Sequence, residues 1–279
     1  MFNQIKTVLL LGLLSGLMLL VGTFFGGNAG LTIALVLALL MNFGAYFFSD
    51  KMVLAMYGAK ETSKKEYAQL HNLVEEVSEK ANIPKPRVYI IPTQTPNAFA
   101  TGRDPQHAVV ACTQGILQLL TKEELKGVIA HEIAHVKNRD ILITTIAATI
   151  ATVISYLAHI AQFAAIFGSR DDEGKNPLGF LVLAILTPII ATIIQLAISR
   201  SREFLADETG ARTINDSRSL ASALKKLELG VKYHPMTRGN ATTSSLFIVN
   251  PFSAKGLISL LSTHPSTEDR VKRLNELRF

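Results

Sequence analysis

The chain has 279 residues, 48% of them hydrophobic and only 18% charged, a balance too apolar for an ordinary soluble domain or a disordered chain. Its net charge of +6 is not gathered into a compact basic motif but flanks the apolar stretches. That pattern points to anionic lipid headgroups as the counter-surface and to no nucleic-acid partner. The single cysteine, Cys112, excludes an intramolecular disulfide and is consistent with a reducing compartment; in the apolar run 108–112 it is expected to be a small buried residue.

Four uncharged blocks carry the surplus apolar residues: 7–26, 29–49, 141–168 and 177–199. Each has roughly the 20 residues that a helix needs to cross a hydrocarbon core. The first comes after Lys6 and ends in small residues, as a cleaved signal peptide does. Its apolar run is longer than a signal core, however, and the second block begins after a short Gly-Asn turn, which predicts a retained transmembrane hairpin. Lys51, Lys60, Lys64 and Lys65 come next and predict that the polar region they open lies on the cytoplasmic side.

Within that polar region, Ser63 to Glu66 has the form of a capping box, and Leu70, Leu73, Val74, Val77 and Ala81 continue it at helical spacing until Asn82 and Pro84. Short β-rich runs at 87–91, 97–101 and 108–113 predict a small sheet, one strand of which could offer an edge to a substrate peptide.

A second capping box, Thr121 to Glu124, starts a helix that carries His131-Glu132-Ile133-Ala134-His135. Histidines four apart share a helix face and can both ligate one metal ion. Glu132, turned about 100° from His131, is placed to take a proton from a water that the metal acidifies. A helix whose histidines only hydrogen-bond to neighbours is the bland alternative.

The third block, with His159 and Gln162, and the fourth, with Pro188 and Gln195, are expected to be two further spans, with a buried helical hairpin as the competing reading. Arg200 and Arg202 flank the fourth on the basic, cytoplasmic side, while the loop between these two blocks leans acidic. A catalytic zinc needs a third protein ligand. Glu203 is the best placed, because a transmembrane hairpin returns the chain to where it left after His135. Asp207, one turn later, is suited to orient a ligating histidine from outside. Both could instead be ordinary charges paired with Arg200 or Arg202. Residues 216–229 predict a helix closed by Gly230, residues 231–245 a surface loop, and a last helix is capped near Ser266 or Thr267. His264, before Pro265, is suited to donate a hydrogen bond to a developing oxyanion, but His234-Pro235 offers the same dipeptide. His71, His107 and His234 are expected to be exposed.

The combination of residues 97–102 (Asn97 to Gly102), 131–140, 203–207, 247–251 and 262–265 with Arg270 resembles the HtpX-type membrane zinc metalloproteases, relatives of the CAAX prenyl protease. The resemblance implies one zinc per chain on His131, His135 and Glu203, with Glu132 as general base, His264 supporting the transition state and Asn97 on the substrate side. It also implies an inner-membrane enzyme with a cytoplasmic active site that degrades damaged membrane proteins. The expected fold is a mainly α membrane protein: four transmembrane helices plus a zincin-like α+β metalloprotease domain with a small sheet. The expected organisation is a hairpin over 1–50, protease sequence over 51–140, a second hairpin over 141–199 and the rest of the protease over 200–279. A zinc-binding membrane scaffold or chaperone that does not cut, and a transporter suggested by the polar residues in the spans, are the readings from other classes.

Overall fold

A computed structural model of the chain describes residues 2–140, 177–237, 246–251 and 264–279. The span expected over 141–168, with His159 and Gln162, lies outside the described residues, as do residues 238–245 of the expected loop. The chain divides into two compact units, Met1–Tyr46 with Ile143–Ile198 and Phe47–Leu142 with Ser199–Phe279.

The first helix, α1 (Phe2–Met56), is two helices joined at Gly27, whose φ of 55° and ψ of −139° leave the helical region. A side chain would be strained there, so glycine permits the reversal. Gly22 then faces the Gly30 backbone across the bend. Large apolar side chains on both arms are exposed: Leu20, Phe24, Ile33, Val36 and Leu40. Among the described residues, no helix is long and apolar enough to cross a membrane.

In the second unit, α2 (Ala68–Ala81) buries its Leu70, Leu73, Val74 and Val77 stripe and ends on Asn82 in the left-handed conformation, φ 57°. It starts after Tyr67, not at the expected Ser63 box. Residues 63–67 form a turn instead, with the Tyr67 amide donating to the Ser63 carbonyl at 3.1 Å and Lys64 reaching forward to Glu75 at 2.9 Å. His71 on α2 is buried rather than exposed, because its Nε2 meets Thr62 Oγ1 at 3.2 Å.

The sheet has four strands in the order β1 (Lys60–Glu61), β2 (Arg87–Ile91), β4 (Val109–Thr113), β3 (Ala98–Thr101). β2 and β4 run parallel, and the two outer strands are antiparallel to their neighbours. β1 carries no apolar signal and is not expected from sequence. Thr113 Oγ1 accepts from the Ile116 amide and starts the short α3 (Gln114–Leu119), also not expected.

Next comes α4 (Lys122–Lys137), with the capping box of Thr121 and Glu124 formed in both directions. The Glu124 carboxylate also accepts from Ser222 at 2.7 Å and Lys226 at 2.8 Å, which ties the start of α4 to another helix. α5 (Pro177–Ile214) contains the segment after the fourth apolar block; α6 (Arg218–Tyr233) and α7 (Thr267–Glu276, capped by Ser266) complete the unit. α6 runs through Gly230 to Tyr233, because the helical pattern continues and the His234 amide still finds the Gly230 carbonyl at 2.9 Å. One core gathers α2, the sheet, α4, α6 and α7. α5 meets α4 closely at Gly210, where an added Cβ would lie 2.8 Å from the Ala130 and His131 backbone. That approach sets Glu203 and Asp207 opposite the histidines of α4.

Candidate metal centre

His131 and His135 lie one turn apart on α4, so their rings project from the same face, edge to face with centroids 4.6 Å apart. Their Nε2 atoms are 3.1 Å apart. Glu203, from α5, brings Oε1 to 3.4 Å from His135 Nε2 and Oε2 to 3.6 Å from His131 Nε2. These three groups form the one set of possible metal-ligating side chains among the described residues, with all ligand atoms within 4.8 Å of one another. A tetrahedral zinc ion with bonds near about 2.05 Å requires donor atoms about 3.3 Å apart. The triangle already has that size.

The back of the triangle is built as carefully as the front. His131 Nδ1 lies 2.9 Å from Asp207 Oδ1, and His135 Nδ1 lies 3.1 Å from Asp140 Oδ2. Each carboxylate accepts a hydrogen bond from Nδ1–H, which favours the tautomer with a lone pair on Nε2. A buried guanidinium then holds each carboxylate. Arg270 grips Asp207 with two bonds, Nε at 2.8 Å and Nη2 at 2.7 Å, and donates through Nη1 to the Ile248 carbonyl at 2.7 Å. Arg202 Nη1 donates to Asp140 Oδ1. The alternative reading, that Glu203 and Asp207 are ordinary charges paired with Arg200 or Arg202, does not describe Arg202: neighbouring helical residues point about 100° apart, and Arg202 reaches Asp140.

Charge counting supports a divalent cation. Glu132, Asp140, Glu203 and Asp207 are all buried, as are Arg202 and Arg270. With all four carboxylates ionised and both imidazoles neutral, as ligation requires, the two guanidinium groups leave two negative charges, which one doubly charged ion balances; without the ion, a proton on His135 offsets part of that excess. Protonation obeys the same demand. Burial pushes the Glu132 carboxyl up to about 7, with Glu203 adding to the rise and His135 opposing it. Burial disfavours charge on His135, yet its contacts with Asp140 and Glu203 raise it well above the ordinary histidine value. Burial leaves His131 lowered, in the neutral form a metal needs. Against the burial penalty, His264 and Arg270 hold Glu203 well below the usual carboxylate range, and Arg270 brings Asp207 down to about 2. Burial pushes the Cys112 thiol up to about 12, which makes it inert.

Three further residues expected at the site are all buried. Glu132 sits beside the triangle, with the Ala100 amide of β3 donating to its carboxylate. His264 brings Nδ1 to 3.2 Å from Glu203 Oε2. Asn97 is fully enclosed: its Nδ2 donates to the Val249 carbonyl at 2.8 Å and its Oδ1 accepts from the Ala98 amide at 3.1 Å. It fastens the start of β3 to the segment that Arg270 also holds at Ile248. Asn97→Ala is therefore expected to destabilise the protein by about 1–3 kcal/mol, since it leaves the Val249 carbonyl buried without its donor. Denaturation and cleavage kinetics together check this; unchanged stability with a raised KM would make Asn97 a substrate contact instead. Asp140, Arg202 and the grip of Arg270 are not foreseen from sequence. Asp140 and Arg270 lie among the residues that carry the family resemblance, but no sequence pattern assigns them, or Arg202, these partners.

A family model described as peptidase family M48 matches residues 64–278 of the chain. Among similar proteins, a protease HtpX homolog from Sulfurihydrogenibium sp. is 52% identical, covering 99% of this chain and 97% of that relative. Protease HtpX homologs from Persephonella marina and Pyrococcus furiosus are 54% and 51% identical, covering 99% and 98% of this chain and 97% and 95% of their own lengths. The crystal structure of S. mikatae Ste24p superposes with a TM-score of 0.59 at 19% identity, over 98% of this chain and 66% of that one, which is a likeness of fold.

Proposed function

The chain belongs to peptidase family M48, among its HtpX-type members, and is a metalloprotease; from that premise we propose that it is a membrane-bound zinc endopeptidase that cleaves misfolded or damaged membrane proteins. The observation that carries the zinc reading is the triangle of His131, His135 and Glu203, of tetrahedral size, with Glu132 buried next to it. His131 Nε2, His135 Nε2 and the Glu203 carboxylate would hold the ion, which when bound polarises the peptide carbonyl and acidifies water. Glu132 takes the proton of the attacking water on a carboxylate oxygen and delivers it to the leaving amine. Asp207 and Asp140 keep the two imidazoles in the ligating tautomer throughout. His264, beside Glu203, is assigned to the developing oxyanion. β3 is an outer strand of the sheet, and its Ala100 amide reaches Glu132; its Ala98 carbonyl already accepts from the Ile248 amide at 3.1 Å, so an extended substrate would approach beside Ala100 and Glu132 rather than along the whole strand.

The membrane reading is supported by the apolar blocks and by the exposed side chains on them, Leu20, Ile33 and Leu40 on α1 and Ile189 and Ile193 on α5. Water disfavours such surfaces, and a hydrocarbon layer does not. The four apolar blocks support a reading with four spans, and their basic flanks support both termini and the catalytic unit on the cytoplasmic face of the plasma membrane.

The test is degradation of an unfolded polypeptide such as casein, and of a destabilised membrane protein, by the purified full chain. Cleavage is expected to stop with o-phenanthroline and return with added zinc. Cleavage insensitive to chelator would overturn the zinc reading. A zinc-loaded chain that retains substrate without cutting it would establish the scaffold reading.

A further inference from the structure

A second site lies away from the metal, where α1 emerges from the second apolar block. Phe47, Asp50, Lys51, Arg87, Arg103 and His107 line a cavity of about 290 Å³. Three fixed cations converge there from α1, β2 and the loop after β3. Arg103 is pinned in place: its guanidinium stacks 5.5 Å from the Phe47 ring, its Nη2 donates to His107 Nε2 at 2.8 Å, and its Nε is 3.4 Å from Asp104. Because arginine can only donate, His107 Nε2 accepts, and Nδ1 carries the proton donated to Asp104 at 2.7 Å. Arg87 Nη1 donates to the Tyr89 hydroxyl at 3.3 Å, and its Nη2 pairs with Asp50 Oδ2 at 3.6 Å, just beyond hydrogen-bonding range. Arg87 and Arg103 are thus oriented by their neighbours at the cavity, and Lys51 is exposed beside them.

Next to the cavity, Phe48, Met52 and Met56 lie four residues apart on α1, all exposed, and make an apolar stripe that continues past Lys51. A cavity of this volume holds a small polar group and not a whole amphiphile. Acyl chains would have to lie outside it, and the stripe is the apolar surface that receives them.

We propose that this cavity binds the headgroup phosphate of an anionic glycerophospholipid, phosphatidylglycerol, with Arg87, Arg103 and Lys51 on the phosphate. The Asp50 carboxylate accepts from the headgroup hydroxyls, which choline cannot offer. This rests on the membrane reading above, since the lipid meets the cavity where the apolar block ends. Its consequence is that the catalytic unit is fastened to the bilayer surface through β2 and the loop after β3, both joined to the sheet whose edge strand adjoins Glu132.

The test is native mass spectrometry of the full chain in detergent, titrated separately with dioleoyl phosphatidylglycerol, phosphatidylethanolamine and phosphatidylcholine, with inorganic phosphate as a further arm. Phosphatidylglycerol is expected to bind at least about tenfold more tightly than the other two, one tenfold step corresponding to about 1.4 kcal/mol. Arg103→Gln and, separately, the exposed Lys51→Gln are expected to erase that preference, while Arg218→Gln on α6 leaves it intact. Equal affinity for the three lipids, or a preference untouched by both cavity variants, overturns the proposal. Displacement of the lipid by millimolar inorganic phosphate overturns the lipid source in favour of a free phosphate. The membrane reading is tested apart from this, by whether the chain stays in carbonate-washed membranes. A chain that stays there yet shows no lipid preference defeats the cavity assignment alone.

Discussion

Glu132→Gln is expected to lower peptide hydrolysis by about 10²–10⁴-fold while leaving one zinc bound per chain. Glutamine has nearly the same shape and still fills the buried position beside the Ala100 amide, but its amide cannot accept the proton of the attacking water. Glu132 also lies outside the triangle formed by His131, His135 and Glu203, so the ligands are untouched. Burial raises the Glu132 carboxyl to about 7, and a divalent ion beside it draws the group back toward the carboxylate that takes the proton. Turnover measured beside metal content separates the roles. Proteolysis at the wild-type rate in a preparation free of other proteases would remove Glu132 from the chemistry. Loss of zinc together with activity would make it part of the metal's support.

The features legible in the sequence are those whose cause is local. The capping box at Thr121, the four-residue spacing of the histidines and the apolar stripe of α2 each depend on residues within a few turns of one another, and each is present in the structure. Local signals also misled. Ser63 and Glu66 satisfy the capping pattern, but the turn that ends at Tyr67 uses the same backbone groups first, and the helix starts beyond it. The supports of the site were not legible, because they join residues far apart in the chain. Arg270 holds an aspartate 63 positions earlier and Arg202 one 62 positions earlier. No periodicity encodes such a pairing; only the tertiary packing that brings α7 to α5, and α5 to the end of α4, creates it. Asn97 shows the same limit, since its partner Val249 is 152 positions away.

Arg270→Met is expected to destabilise the catalytic unit by about 3–5 kcal/mol, the cost of leaving one member of a buried ion pair without the other. The side chain is among the largest fully buried ones, and it meets four acceptor atoms: both Asp207 oxygens, Glu203 Oε2 at 3.2 Å and the Ile248 carbonyl. Methionine fills much of the volume but leaves Asp207 charged and unpaired in a site that already holds more carboxylates than cations. The unfolding midpoint of the full chain in detergent is therefore expected to drop on the order of 10 °C. Adding Asp207→Asn removes the stranded charge, so the double variant is expected to recover part of the loss, and the coupling between the two positions measures the pair. A single variant within about 1 kcal/mol of wild type would mean that Arg270 is not the counter-charge of this centre. Arg270→Lys separates charge from shape: lysine keeps the cation but cannot make the two-pronged bond to Asp207, so it is expected to fall between wild type and methionine. Zinc affinity is expected to change in the same order, because Asp207 orients His131 only while Arg270 holds it.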